Sequence, residues 1–266
     1  MRRDSNADFI ESIARGIDVI RSFDAATPLL SLSQVAERAA LPRPTARRIL
    51  TTLEVLGYAR KIDDRFTLTP RVLDLGMAYI GSLDIWQLVR PHLVDLVAKT
   101  KESCSVAQLD GSDIVYVSRV AVPKLVTLSV TIGTRFPAIA TSLGKVLLAQ
   151  MEPEELDDVL AIPSRCPVSP RWHPDRREID AVLREVRERR WAVTDEELAL
   201  GIRSIAAPIT DGDGRTVAAV NVNASSVETP LATLVEHHLP LLQHTAGAIS
   251  EDWVRYHARP LQTVRA

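Results

Sequence analysis

The chain has 266 residues, is 46% hydrophobic and 25% charged, and carries a formal net charge of −2. That composition builds a globular protein of one large or two ordinary domains and excludes a disordered chain. No window approaches the roughly 18 uncharged apolar residues of a membrane span, and Met1-Arg2-Arg3 is not followed by the apolar segment of a signal peptide.

Two isolated cysteines, Cys104 and Cys166, form neither a disulfide framework nor a metal knuckle, which fits a reducing cytoplasm. The charge is unevenly placed. Residues 1–71 hold 12 Lys and Arg against 9 Asp and Glu, and residues 38–65 hold 7 against 3. A basic leading segment on an acidic body points toward a polyanionic partner, although surface scatter alone produces such counts.

Along the chain, Ile10, Ile13, Ala14, Ile17, Ile20 and Phe23 recur at helical spacing, which predicts an amphipathic helix over about residues 9–24 with these positions buried. Ser31 stands three residues before Gln34 as a capping box, and Leu32, Val35, Ala36 and Ala39 make the buried stripe of a short second helix. Ala40 occupies the turn where a glycine is expected. A third helix starts near Arg43-Pro44, where proline suits a first turn, and ends at Gly57. On its wheel Ala46, Ile49, Leu50, Leu53 and Leu56 share one side. The other side carries Pro44, Arg47, Arg48 and Thr51, flanked by Arg43 and Thr52, with no acidic residue before Glu54.

The segment "YARKIDDRFTLTP" reads as two short strands turning at Asp63-Asp64. Three helices and a hairpin make a winged helix-turn-helix. Its recognition helix would offer Arg43, Thr45, Arg47, Arg48, Thr51 and Thr52, and its wing Arg60, Lys61 and Arg65, to duplex DNA. Pro70 opens a linker helix over 71–84, and a further helix runs from about Asp84 into Lys101, kinked or divided at Pro91.

Beyond residue 103 hairpin signals at Asp110-Gly111 and at Asp211-Gly212-Asp213-Gly214 alternate with helical segments. The stretch from Leu125 to Pro137 reads as another strand. Hairpins flanked by helices mean an α+β domain, not a doubly wound one. The expected division is 1–70 for the winged helix, 71–84 for the linker and 85–266 for the α+β body.

"TSLGKVLL" is a poor phosphate loop, because no glycine precedes Gly144 by five residues and Val146 replaces the hydroxyl residue after the lysine. Its helix start at Thr141, Ser142 and Leu143 suits either plain capping or a small carboxylate. Ser204 alternates with Ile202 and Ala206, and Asn221 and Asn223 share a face with Val217 and Ala219. Burying such amides without partners costs roughly 1–3 kcal/mol each, so they either line an exposed edge or join Ser142 and Ser204 in a mostly apolar pocket. Asp195-Glu196-Glu197 reads as a solvated loop or helix N-terminus from which one carboxylate could reach a ligand, and His237, His238 and His244 read as surface or interface residues. No nucleophile–base pair, metal-ligand spacing or cofactor motif appears, so neither catalytic residues nor a metal or cofactor are expected.

The order of parts, with "ESIARGIDVIRSF", "ATSLGKVLLA", "DEELALGIRSIAAPI" and "AAVNVNAS", resembles the IclR family of bacterial transcription regulators over almost the full chain. "RILTTLEVLGY", "FTLTPRVLDLGMAYI" and "ESCSVAQLDGSDIVYVSRV" resemble its branch that regulates aromatic-acid breakdown through protocatechuate and the β-ketoadipate pathway. The resemblance implies a GAF-like effector domain, a homodimer or dimer of dimers, and a palindromic DNA operator. It also implies a small carboxylate effector held near Ser142, Leu143, Thr194, Asp195, Ser204, Asn221 and Asn223. Thr194 stands where some relatives carry Asp, and the two asparagines where some carry Ser. Alternatives are a regulator of another carbon-source operon, an enzyme tethered to DNA, or a dimerising DNA-binding protein that takes no ligand.

Overall fold

Helix α1 (Glu11–Arg21) opens the part of the chain that the computed structural model describes, namely residues 8–24, 26–76, 85–123 and 130–258. The chain divides into two compact units, 1–83 and 84–266. In the first, α1 turns Val19 into the small core, with Ile20 and Phe23 at its margin. The predicted stripe is otherwise not buried, because Ile10, Ile13 and Ile17 are 59%, 58% and 51% exposed. A core of this size covers one narrow side of the helix, and Val19 lies nearly half a turn away from Ile10, Ile13 and Ile17.

Strand β1 (Leu30–Ser31) leads into α2 (Leu32–Arg38), whose capping box is complete: the Gln34 N–H donates to Ser31 Oγ and the Ser31 N–H donates to Gln34 Oε1. Ala40 adopts a left-handed φ of 52°, and the Leu41 N–H reaches back to Ala36 O at 2.8 Å. Helix α3 (Arg43–Val55) carries Pro44 in its first turn and buries Ala46, Leu50 and Leu53. Leu56, assigned to the apolar side from the wheel, is half exposed beyond the end of the helix. Gly57, at φ 81°, lets its own N–H reach Glu54 O and the Tyr58 N–H reach Leu53 O, a two-bond C-terminal cap. Strands β2 (Ala59–Ile62) and β3 (Arg65–Leu68) form the hairpin, and β1 pairs with β3 to complete a three-stranded sheet. Two residues are too few to display alternation, so β1 has no sequence signature. Of the linker expected over 71–84, Arg71 lies in a turn, residues 72–76 are helical, and residues 77–84 lie outside the described residues.

The second unit begins with α4 (Ile85–Thr100), one helix that continues through Pro91 rather than dividing there. Pro91 falls in its second turn, where its missing N–H removes a single ladder bond. Six antiparallel strands follow in the spatial order β6-β5-β4-β9-β8-β7. They are β4 (Ser103–Asp110), β5 (Asp113–Val120), β6 (Arg135–Pro137), β7 (Ala192–Asp195), β8 (Ile202–Thr210) and β9 (Thr216–Ser225). The strand expected from Leu125 to Pro137 is confined, among described residues, to β6; residues 124–129 lie outside them. Helix α5 (Ser142–Leu148) packs on one face of the sheet with α7 (Arg176–Arg189) behind it. Helix α4 and the long α8 (Leu239–His257) pack together on the other face. Helix α6 (Pro153–Ala161) and strand β7 have no counterpart in the periodicity reading. Among the described residues no helix is long and apolar enough to cross a membrane.

Candidate functional site

The outer face of α3 is built from its own periodicity. Arg43, Pro44, Arg47, Arg48, Thr51 and Thr52 are exposed, while Thr45 is half-buried beside the core side. Thr52 Oγ1 donates to Arg48 O at 2.9 Å, so that hydroxyl hydrogen is already committed within the helix. The first acidic side chain, Glu54, accepts the Lys61 N–H at 3.1 Å and ties the helix to the hairpin. Among the described residues Arg43, Arg47 and Arg48 make no ion pair. Arg15 and Arg38, elsewhere in the same unit, are held by Glu11 and Asp24.

Pairing register sorts the wing residues. Arg60 faces Thr67 and Ile62 faces Arg65, so Arg60 and Arg65 project from one side of the hairpin. Lys61 faces Phe66 on the other side, with its Nζ 3.5 Å from Asp64 Oδ1. The structure thus brings the α3 arginines together on one helix face and separates Lys61 from Arg60 and Arg65.

In the second unit the polar residues singled out from the sequence meet under α5. Thr194 pairs with Ser204, and Ser204 with Asn223, across β7, β8 and β9. Ser204 Oγ lies 2.7 Å from Ser142 Oγ and 2.9 Å from Thr194 Oγ1, giving three linked hydroxyls. Asn221 and Asn223 complete a cavity of about 20 Å³ walled by Tyr116, Phe136, Val130, Leu198 and Ile202. That volume is on the scale of one water. Burial pushes the Tyr116 hydroxyl up to about 12, so it stays a neutral phenol, and its ring meets Phe136 edge-on at 6.0 Å. The aromatic wall comes from β5 and β6, and nothing in its local sequence separates it from ordinary core.

Leu143 and Asp195 are not brought to this cavity. Leu143 points into the apolar core. Asp195, at the end of β7, accepts Arg203 Nε at 2.9 Å. The acidic run is a strand end and a structured turn, neither the loop nor the helix N-terminus expected. Glu196 (φ 57°) accepts the Ser226 hydroxyl and the Gly201 N–H, which hold its carboxyl below the usual range. Glu197 binds Lys145, which lies on α5 and is buried beneath Trp172. Thr141 caps α5 through the Gly144 N–H at 3.0 Å. The lysine and glycine that suggest a phosphate loop are therefore both occupied in packing. His238 is buried, unlike His237 and His244, which are exposed. Cys104 is buried, which pushes its thiol up to about 12 and makes it a poor nucleophile. Among the described residues no three His, Cys, Asp or Glu side chains gather as a metal set.

Comparison with known proteins agrees with this two-unit arrangement. Residues 12–63 match the IclR helix-turn-helix domain, and residues 77–251 match the C-terminal domain of bacterial IclR transcriptional regulators. The Pca regulon regulatory protein of Pseudomonas putida is 36% identical over 236 residues, covering 88% of this chain and 81% of that one. A Rhodococcus sp. RHA1 protein assigned as a transcriptional regulator has a crystal structure that superposes with a TM-score of 0.78. It is 44% identical, and the match covers 92% of this chain and 98% of that one. The inducer-binding domain of the Acinetobacter PobR transcription factor, solved as a double mutant in complex with 3-hydroxybenzoic acid, gives a TM-score of 0.57. It is 29% identical, covering 62% of this chain and 96% of that domain. The α3 face and the hydroxyl-lined cavity thus sit in the two domains of a regulator rather than of an enzyme, and the chain belongs to the IclR family of bacterial transcriptional regulators.

Proposed function

We propose that this regulator reads a palindromic operator as a homodimer or dimer of dimers in the cytoplasm, and that an aromatic carboxylic acid bound in the second unit sets its affinity for that operator. The expected segment limits, 1–70, 71–84 and 85–266, serve as its reading, coupling and sensing parts. Arg47, Arg48 and Thr51 meet base edges or phosphates, and Arg43, Thr45, Thr52, Arg60, Lys61 and Arg65 position the duplex. The observation that carries this assignment is that, among the described residues, Arg43, Arg47 and Arg48 make no ion pair, whereas Arg15 and Arg38 of the same unit do.

The exposed stripe of Ile10, Ile13 and Ile17 supports self-association, since contiguous apolar surface of this kind is covered in most monomers. Three linked hydroxyls and two amides beside an aromatic wall suit a hydroxylated ring acid. The Acinetobacter inducer-binding domain holds 3-hydroxybenzoic acid, and the Pseudomonas relative regulates the Pca regulon. A cavity of water size admits such a ring only if Val130, Leu198 or Ile202 moves outward. Ligand binding is thereby tied to a change of shape, as a shift between two arrangements requires.

Calorimetry of the full chain with 3-hydroxybenzoate, protocatechuate and β-ketoadipate, followed by titration of a labelled upstream DNA fragment with and without each acid, tests the reading. Saturable heat from an aromatic acid and a matching change in DNA affinity are expected. Heat from none, with DNA affinity unmoved, retires the effector assignment.

A further inference from the structure

Outside the hydroxyl cluster, one cation on the cavity face has too few partners. Arg119 is half-buried near the end of β5, and its Nη1 donates to Ser105 Oγ at 2.9 Å. Its Nε–H is buried with no hydrogen-bond partner, and among the described residues it has no counter-ion. The ionisable groups it interacts with, Tyr116 and Cys104, are both held neutral. A partly desolvated guanidinium facing only a serine is costly unless something negative completes it.

Strand register places this cation outside the cavity lining but in one row with Asn221, which belongs to that lining. Ser105 pairs with Arg119 on one side and with Asn221 on the other, so the three form a row across β5, β4 and β9 with side chains on one face. Asn221 lines the cavity, and its Oδ1 is itself buried without a partner. Two unmet polar groups therefore flank Ser105. The neighbouring row, two residues along, is Asn223, Ser204 and Thr194, the opposite polar end of the same cavity.

We propose that Arg119 is the carboxylate anchor of the effector site, a specificity-determining residue that orients an aromatic acid with its charged group toward β5 and its ring hydroxyl toward Ser142, Ser204 and Thr194. This rests on the effector reading above. The carboxylate accepts from Arg119 Nε–H. With its amide turned over, which exchanges oxygen and nitrogen at one place, Asn221 donates to the second carboxylate oxygen. Ser105 holds the guanidinium in line. Ser105 and Ser204 are two strand spacings and one two-residue step apart, about 12 Å between backbones. A hydroxybenzoate hydrogen-bonded at both ends is of that length, with its ring against Tyr116 and Phe136.

The test compares acids with their neutral amides: 3-hydroxybenzoate and protocatechuate against 3-hydroxybenzamide and 3,4-dihydroxybenzamide. Calorimetry is run on the full chain, Arg119→Gln and Arg119→Lys, with circular dichroism to establish folding. The parent should prefer acid to amide by about tenfold or more, as expected for a charge-assisted contact. Arg119→Gln should bind both alike, and Arg119→Lys should fall between them. If Arg119→Gln fails to fold, Arg119→Lys carries the test, and a preference equal to the parent's overturns the proposal. A folded Arg119→Gln that keeps the parent's preference overturns it too, as does a parent that binds acid and amide equally; both leave the effector reading standing. A parent that binds no aromatic acid removes the effector reading and the anchor together.

Discussion

Lys145 on α5 is clasped by Glu197: its Nζ lies 2.7 Å and 2.5 Å from the two carboxylate oxygens and 4.4 Å from the centre of the Trp172 ring. The lysine side chain is 3% exposed and the glutamate 21%. Burial pushes the ammonium down and the carboxyl up, and each charge partly restores the other. Lys145→Met strands a partly buried carboxylate, so it should destabilise the fold by about 3 kcal/mol. The double variant with Glu197→Gln should recover most of that loss. Denaturant unfolding of parent, both single variants and the double variant measures the coupling, and simple additivity would refute it.

Gly144 tests the packing of the same helix. A Cβ there would stand 2.0 Å from Ala138 O and 2.4 Å from Ala138 C, both backbone atoms. The 138–140 turn cannot yield as a flexible side chain would, so Gly144→Ala should cost about 3 kcal/mol. A denaturation midpoint unchanged from the parent would show that the turn moves freely.

Ala40 carries the opposite expectation. Its φ of 52° places a Cβ where L-residues pay about 1–2 kcal/mol. Glycine relieves that strain but gains freedom in the unfolded chain, so Ala40→Gly should stabilise by about 0.5 kcal/mol net. A small rise in midpoint is expected, and a fall would mean that the turn is relaxed with alanine.

For the α3 face, the salt dependence of operator binding is the discriminating measurement. Each phosphate contact contributes about 0.9 to the slope of log affinity against log salt, so removing both Arg47 and Arg48 should lower it by nearly 2 if both meet phosphate. If one reads a base edge instead, the slope should fall by about 1 and sequence preference should relax. DNA binding that matches the parent at every salt concentration would remove these arginines from the interface.

Glu196 predicts a pH effect. The Ser226 hydroxyl at 2.6 Å and the Gly201 N–H at 3.0 Å favour its ionised form, holding its pKa below the ordinary 4.5. The folded pKa lies below the unfolded one, so this contribution is present above pH 4.5 and is lost as pH falls through the folded pKa. Glu196→Gln should therefore show a flatter loss of stability on the acid side, read as melting temperature from about pH 6 to about pH 3. Parallel curves for parent and variant would disprove the linkage.

The recognition helix, its proline start and glycine stop, the Ser31–Gln34 cap and the turns at Asp110-Gly111 and Asp211–Gly214 were all determined by the sequence alone. Each depends on interactions within about four residues, where side-chain spacing and backbone preference act together. Which side of α1 is buried was decided only in three dimensions, because two apolar faces compete for one small core. Pairings between distant segments were decided there as well. Lys145 finds Glu197, and Ser105 comes between Arg119 and Asn221, through the register of strands far apart in the chain. Local periodicity assigns a strand its faces but not its neighbour, and it is the neighbour that brings isolated serines, asparagines and one arginine into adjoining rows on one face.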